Sequence, residues 1–242
     1  MSGSCCFKGH IHTGEPKGTT IKLAGTETYF AEAEKFDGRA LLFLSDAFGL
    51  ELVNNKLLVD SFAKQANLNV YMPDQFNGNP APISALQGVP FDFMAWGKSF
   101  SKEACYDNNV KFANELKEKH GVTKLAVIGY CWGGFSTLMI GATDIANAVA
   151  VAHPSRLDFP GDIERIKKPC LFLCAEVDHQ FPLENVEKSK EILKDRPEGH
   201  KFVQYPGTNH GFAVRFNGDD EVAAKAAEDA FQQAIQFFNK HL

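Results

Sequence analysis

A cysteine lies between two glycines in the segment Gly129-Tyr130-Cys131-Trp132-Gly133. The G-x-nucleophile-x-G spacing is typical of a sharp turn that presents a nucleophile between a strand and a helix. An apolar run precedes this segment and a helical pattern follows it, which is the context that such a turn needs. At a helix N-terminus the positive end of the peptide dipole favours a thiolate. We therefore predict that Cys131 is a nucleophile; the alternative is a buried cysteine that only packs at a tight turn.

A nucleophilic thiol needs a base, and the base needs a group that orients it. Asp178 ends the apolar run KPCLFLCAEVD, and His210 lies in the loop TNHGF after the run HKFVQYPG. Loops that follow parallel strands meet at one edge of a sheet, so both side chains are expected close to Cys131. The order nucleophile, acid, base along the chain is that of the α/β-hydrolase triad. We therefore predict a triad of Cys131, Asp178 and His210.

Asp178 and His210 also have non-catalytic interpretations. Asp178 fits a loop carboxylate or a helix cap, and His210 fits a solvated turn residue. His153, at the end of the run NAVAVAH, is a second candidate base. It precedes the acid and so breaks the expected order, which ranks it behind His210. The joint placement of the acid and the base after later strands favours catalysis.

The elements that must position these residues follow from the alternation of apolar runs with helical patterns. The predicted strands are 39–46, 68–74, 124–130, 147–153, 168–178 and 200–207, and the predicted covering helices are 53–67, 101–121, 182–195 and 219–242. This order predicts an α/β protein with a mostly parallel sheet and helices on both faces. We expect a single domain over 1–242, opened by an extended segment, 1–20. The Gly-, Pro- and aromatic-rich segment 75–100 is a candidate lid or pocket segment.

Composition excludes several classes of partner. The 242 residues include 25 Lys and Arg against 30 Asp and Glu, and the formal net charge is -5. This balance provides no basic patch for nucleic acid or an anionic membrane, so a small-molecule substrate is the expected partner. The apolar segment 125–142 has the length of a membrane span, but its glycines favour a buried strand, turn and helix. The N-terminal residues do not resemble a secretory signal, which predicts a cytoplasmic protein. The oligomeric state stays open.

The six cysteines are expected to be reduced thiols, as is usual in a long intracellular chain. Cys170 and Cys174 flank the run LFL and fit small hydrophobic residues of a buried strand. Cys5 and Cys6 lie close to His10 and His12, but no second cluster at ligand spacing accompanies them. We therefore predict no metal site.

The segments GYCWGG, AEVDHQFP and GTNHGFA, with SDAFG after the first central strand, resemble the dienelactone hydrolase family. The resemblance covers nearly the whole chain, and the opening CCFKGHIHTGEPKG is similar to fungal members. It implies an α/β-hydrolase fold and a triad of Cys131, Asp178 and His210 that hydrolyses enol-lactones and related esters. The chemistry expected is acyl transfer through an acyl-cysteine intermediate, with no cofactor.

The resemblance implies further site residues. Asp46 occupies the position of an acidic residue that accepts a hydrogen bond from the resting thiol. The backbone N–H groups of Ala47 and Trp132 are implied as the oxyanion hole. Arg215 lies near the position of an arginine that binds the substrate's carboxylate. A second such arginine has no counterpart, since the chain has no Arg between Arg39 and Arg156.

Two alternative functions remain open from the sequence. The first is a promiscuous carboxylesterase whose natural substrate is unrelated to lactones. The second is a non-catalytic binding or redox-sensing protein that keeps the α/β-hydrolase fold, with Cys131 oxidised instead of acylated.

Overall fold

A single eight-stranded sheet forms the centre of the protein in the computed structural model, which describes residues 9–242. The strands in chain order are β1 (Thr19–Leu23), β2 (Thr26–Ala31), β3 (Arg39–Leu44), β4 (Asn69–Pro73), β5 (Lys124–Tyr130), β6 (Ala148–Ala152), β7 (Cys170–Val177) and β8 (Lys201–Asn209). Their order across the sheet is β1-β2-β4-β3-β5-β6-β7-β8. The six strands from β3 onward are all parallel to their neighbours within that group, which confirms the predicted mostly parallel sheet.

An antiparallel hairpin formed by β1 and β2 extends one edge of the sheet. The sequence analysis did not predict this hairpin, because its first predicted strand begins at residue 39. The sequence TTIKL exposes three of its five residues, so it lacks the apolar run that reveals a buried strand. The extended segment predicted for 1–20 is followed by β1 from Thr19 onward. Of the described residues, 9–18 form neither helix nor strand.

Eight α-helices lie among the described residues. They are α1 (Val53–Ala66), α2 (Phe93–Gly97), α3 (Lys102–Lys119), α4 (Gly134–Gly141), α5 (Gly161–Glu164), α6 (Leu183–Leu193), α7 (Phe212–Arg215) and α8 (Glu221–His241). The four predicted covering helices all form, with ends within two residues of prediction. Side-chain caps fix two of their starts: Ser101 accepts from the N–H of Ala104, and Asp220 accepts from that of Val222.

The helices cover both faces of the sheet, as predicted. Alternate residues of β3 point to opposite faces: Leu41 and Phe43 pack with α1 and α8, whereas Leu42 and Leu44 pack with α3, α4 and α6. The apolar segment 125–142 forms β5, a turn and α4, all within this core. Across residues 9–242, every helix is too short or too polar to cross a membrane.

Candidate active site

Cys131 lies in a strained turn directly after β5. Its φ of +48° is in the left-handed region, which is costly for a residue with a side chain. The flanking glycines allow the turn to pack tightly: a Cβ at Gly129 would lie 2.5 Å from the carbonyl oxygen of Gly133, and a Cβ at Gly133 would lie 2.3 Å from that of Leu44. The strain and the two glycines together hold the buried thiol at the C-terminal edge of the sheet, where α4 follows.

Gly133→Ala is expected to lower the free energy of unfolding by about 2 kcal/mol, because the added methyl group meets the backbone of β3 instead of a mobile side chain. Urea denaturation measures the change. Gly161→Ala is the matched control, since a Cβ there meets nothing within 4 Å, and a change below about 1 kcal/mol is expected. Equal unfolding midpoints for the two variants would contradict the tight packing of the turn.

Asp178 and His210 form a buried, hydrogen-bonded pair beside this turn. Nδ1 of His210 lies 2.9 and 2.8 Å from the two carboxylate oxygens of Asp178. The carboxylate is held in turn by the backbone N–H groups of Gln180, at 2.8 Å, and Phe181, at 3.3 Å. Both members of the pair directly follow neighbouring parallel strands, β7 and β8. The structure therefore places the predicted acid and base together, with the imidazole held in one orientation.

The charge state of His210 depends on Cys131. Burial lowers the pKa of His210, but a thiolate at Cys131 and the hydrogen bond that His210 donates to Asp178 outweigh burial and raise the pKa to about 10. Because Nδ1 is bound to Asp178, Nε2 is the nitrogen left for Cys131 and a substrate, and a hydrogen bond with Cys131 also raises the pKa of His210. When Cys131 is a thiolate, the site therefore favours an imidazolium at His210 beside it.

The loop after β6 contacts the nucleophile through Ser155, a residue that sequence reasoning missed although it named His153 in the same loop as a second candidate base. The backbone N–H of Ser155 donates to the carbonyl of Cys131 at 2.9 Å, and its Oγ lies 3.8 Å from Sγ. The guanidinium of Arg156 lies 3.8 Å from the ring centroid of Trp132. The available signal was topological: this loop follows the strand next to β5, so it emerges at the same edge of the sheet.

His153 also belongs to this loop. Its buried ring packs edge-to-face against that of His210, with a centroid distance of 5.0 Å and an interplanar angle of 63°. The triad base assigned from sequence and the rival base are therefore neighbours. Asp178 binds His210, as predicted, while both ring nitrogens of His153 lack a hydrogen-bond partner in the described part of the chain.

Asp46 and Arg215 form an ion pair that is buried beside the thiol. One carboxylate oxygen of Asp46 accepts from Nη1 of Arg215, and the other accepts from Asn55 at 3.0 Å and from the backbone N–H of Phe48 at 3.2 Å. Burial raises the pKa of Asp46; Arg215 lowers it and a thiolate at Cys131 raises it. Both predicted residues therefore lie at the site, but a substrate carboxylate would have to compete with Asp46 for Arg215.

Arg215→Met is expected to destabilise the fold by about 3 kcal/mol, because it leaves the carboxyl group of Asp46 buried without its counter-charge. Adding Asp46→Asn to that variant should restore part of the loss. A double-mutant cycle on the two positions, measured by urea denaturation, gives their coupling free energy. Strictly additive effects of the two substitutions would show that the ion pair does not hold these elements together.

The predicted oxyanion-hole residues flank the nucleophile. Trp132 follows Cys131 directly, and Ala47 lies in the turn after β3, the strand paired with β5. Both residues are buried. Their placement after adjacent strands is the arrangement that the predicted hole requires.

The segment 75–100 supplies an aromatic cluster over Trp132. It contains a short 3-10 helix at Ile83–Gln87, followed by α2. Ring centroids of Trp96, Phe93 and Phe100 lie 4.9, 5.9 and 6.2 Å from that of Trp132. Arg156 also contacts the segment, since its guanidinium donates a hydrogen bond to the carbonyl of Phe100 at 2.7 Å. The segment therefore lies against the residue after the nucleophile.

One cavity adjoins the site, and a larger one lies elsewhere. One of about 160 Å³ is lined by residues that include His210 and Arg215. A larger groove, of about 690 Å³, lies between β2 and α1 and is lined by no predicted site residue. The smaller cavity therefore adjoins the hydrogen-bonded histidine, whereas Cys131 does not line it.

The two cysteines of β7 fit packing, as predicted from their apolar run. Cys170 and Cys174 are buried in β7, and burial raises the pKa of both thiols, that of Cys174 to about 12. Within residues 9–242 no three His, Cys, Asp or Glu side chains cluster as metal ligands would. Cys5 and Cys6 lie outside the described residues.

Comparisons with known proteins identify the family of this chain. A family model described as "Dienelactone hydrolase family" matches residues 26–242. Similar curated proteins include the hydrolase pyvD of Aspergillus violaceofuscus, 32% identical over 98% of this chain and 96% of the relative. Another is dienlactone hydrolase 1 of Gibberella moniliformis, 32% identical over 97% and 92%. A dienelactone hydrolase structure from Anabaena variabilis superimposes with a TM-score of 0.67 at 15% identity, covering 96% of this chain and 100% of that one.

Proposed function

Because this chain belongs to the dienelactone hydrolase family, we propose that it cleaves its substrate through a Cys131–His210–Asp178 triad and an acyl-cysteine intermediate. Family membership confirms the resemblance and the α/β-hydrolase fold, and makes the protein a hydrolase of ester or lactone bonds. The observation that carries the finer proposal is the buried Asp178–His210 hydrogen bond beside a nucleophile turn.

The proposed reaction has two halves. The thiolate of Cys131 attacks the carbonyl carbon, the N–H groups of Ala47 and Trp132 stabilise the oxyanion, and Nε2 of His210 protonates the departing alkoxide. Water then gives a proton to Nε2 and attacks the thioester, the C–S bond breaks, and the acid is released with the thiolate restored. Asp178 keeps the imidazole in the required tautomer throughout. A lactone follows the same steps, with its alkoxide still tethered to the acyl group.

The aromatic cluster supports a substrate with a flat, apolar part. Trp132 carries a proposed oxyanion donor on its backbone and meets Trp96 and Phe93 through its side chain. Aromatic rings prefer offset or edge contacts with other planar groups, so an unsaturated or aryl acyl group fits this surface. The segment 75–100 then acts as the pocket segment expected from its composition. Arg215 remains the proposed partner of a carboxylate on the substrate.

Hydrolysis assays on a small substrate panel test this proposal. The wild-type protein is expected to hydrolyse p-nitrophenyl acetate and a dienelactone, and to prefer a benzoate or cinnamate ester over an aliphatic acyl ester with the same leaving group. Turnover of esters with no lactone activity would indicate the carboxylesterase alternative. A folded protein with no turnover on the whole panel would contradict the hydrolytic triad and favour the binding or redox-sensing alternative.

The raised pKa of His210 predicts an alkaline limit of activity. Burial lowers this pKa, but the Cys131 thiolate and Asp178 raise it to about 10. Since protonated His210 must donate to an alkoxide, kcat/KM for an ethyl ester should fall as the pH rises through about 10. A p-nitrophenyl ester is the matched control, because its leaving group is stable without a proton. Its kcat/KM should therefore fall less at alkaline pH than that of the ethyl ester. An alkaline limit near 6.5, the ordinary pKa of histidine, would contradict the effect of the Cys131 thiolate and Asp178 on His210.

A further inference from the structure

His153 is a fully buried histidine with unmet hydrogen-bonding capacity. Neither Nδ1 nor Nε2 has a hydrogen-bond partner among residues 9–242. A buried polar group without a partner is destabilising, so such groups usually bind water or a ligand. His153 directly follows β6 at the edge of the sheet that carries the triad. A small polar molecule in the site would meet this need.

The protonation state of His153 determines what it can bind. Burial, together with the charges of His210 and Arg215, lowers the pKa of His153 well below its ordinary value. The ring is therefore neutral at neutral pH, with one N–H donor and one nitrogen acceptor. A water molecule can donate one O–H to the acceptor nitrogen of His153 and still give its other proton to a second base.

His210 is that second base, and its ring lies directly against that of His153, with ring centroids 5.0 Å apart. Once Cys131 is acylated, its sulfur no longer pairs with Nε2 of His210, so that nitrogen can bind the water. Each hydrogen bond to a ring nitrogen spans about 2.8 Å, so one water can bridge two nitrogens that are up to roughly 5.6 Å apart. The rings of Phe212 and Tyr130 also lie near His153, with centroids at 5.7 and 6.0 Å.

Packing alone does not account for this residue. His153 has a φ of +38°, in the left-handed region that glycine or asparagine adopts at lower cost. Strain of this kind is typically retained where a particular side chain is needed at a functional site. An apolar ring would fill the same volume with no unpartnered nitrogens. The strain and the unpartnered nitrogens therefore point to a hydrogen-bonding role.

We propose that His153 is a positioning residue that orients the water used in deacylation. Its acceptor nitrogen accepts one O–H of the water, and Nε2 of His210 removes the other proton as the water oxygen bonds to the acyl carbon. The C–S bond to Cys131 then breaks, the acid leaves, and the proton stays on His210 beside the restored thiolate. This inference rests on the proposed acyl-cysteine intermediate.

His153→Phe and His153→Asn provide a matched pair of variants. Phe keeps a ring of similar size and removes both nitrogens, whereas Asn keeps a donor and an acceptor and tolerates the left-handed backbone. Rapid mixing with p-nitrophenyl acetate separates acylation, seen as the burst, from deacylation, seen as steady turnover. Intact mass spectrometry of the quenched enzyme measures the acylated fraction directly.

We expect His153→Phe to slow deacylation by about 10- to 100-fold while the burst rate changes by less than about threefold. Acylated enzyme should accumulate at Cys131, and His153→Asn should deacylate at least about fivefold faster than His153→Phe. A purely structural residue would lower burst and steady rates by the same factor, and that result would overturn the inference.

The same experiment separates this inference from the proposed function. If wild-type Cys131 is acylated but His153→Phe accumulates no more adduct than wild type, only the role of His153 is wrong. If turnover persists after Cys131→Ala and neither protein carries an adduct, the acyl-cysteine mechanism is wrong, and the role of His153 is wrong with it. If His153→Phe does not fold, His153→Asn is decisive, since equal slowing of its burst and steady rates would overturn the inference.

Discussion

Cys131→Ala is expected to lower kcat/KM for p-nitrophenyl acetate by about 10⁴- to 10⁶-fold. The substitution removes the atom that forms the acyl bond, and no neighbouring group can take its place: Ser155 has an Oγ 3.8 Å from Sγ but lies in a different loop, outside the helix turn that aims the thiol. Initial rates at high enzyme concentration, with circular dichroism to verify folding, measure the loss.

Cys170→Ala is the matched control for Cys131→Ala, because it removes a buried thiol from β7, away from the turn. The folded part of a Cys170→Ala preparation should have the same kcat/KM as the wild-type protein. Cys131→Ser adds a second test, since a hydroxyl group has a much higher pKa than a thiol and should remain poorly active in a site arranged for a thiolate. Activity of Cys131→Ala within about tenfold of wild type would show that Cys131 is not the nucleophile.

Asp178→Asn is expected to lower kcat by about 10³- to 10⁴-fold with little change in the fold. An amide in this position donates where the carboxylate accepted, so it favours the wrong tautomer of His210. The backbone N–H groups of Gln180 and Phe181 can still bind the remaining amide oxygen, which supports folding. The loss of the carboxylate should also lower the pKa of His210, because Asp178 raises it.

The pH profile distinguishes this role from a structural one. In Asp178→Asn the alkaline limit of the residual activity should move to lower pH than the value near 10 expected for wild type. Asp144→Asn is the control, as Asp144 is exposed and pairs with Lys168 on the surface. Residual activity with an unchanged alkaline limit would contradict the assignment of Asp178 as the partner of His210.

Sequence predicted the framework of the site because each step depended on a local pattern. The apolar runs that became β5, β7 and β8 are continuous, so their carboxyl ends, and the residues Asp178 and His210 that follow, could be located from the chain alone. The spacing of glycines around Cys131 has an equally local cause, since each glycine lies where a Cβ would meet nearby backbone.

The contacts between distant loops could not be predicted in the same way. Asp46 and Arg215 are 169 residues apart, and their pairing depends on how α7 packs under the turn after β3. The approach of His153 to His210 likewise depends on the register of three neighbouring strands and on side-chain rotamers. The hairpin of β1 and β2 was not predicted, because most residues of β1 are exposed and the strand contains no continuous apolar run.

Millisecond mixing with p-nitrophenyl acetate, followed by acid quench, intact mass and peptide mapping, tests the central claim most directly. One added acetyl group is expected on the wild-type protein, located on Cys131, that forms during the burst and disappears as substrate is exhausted. The adduct should be absent from Cys131→Ala and should form more slowly in His210→Ala. An acetyl group on any other residue that forms and decays at the rate of turnover would contradict the account.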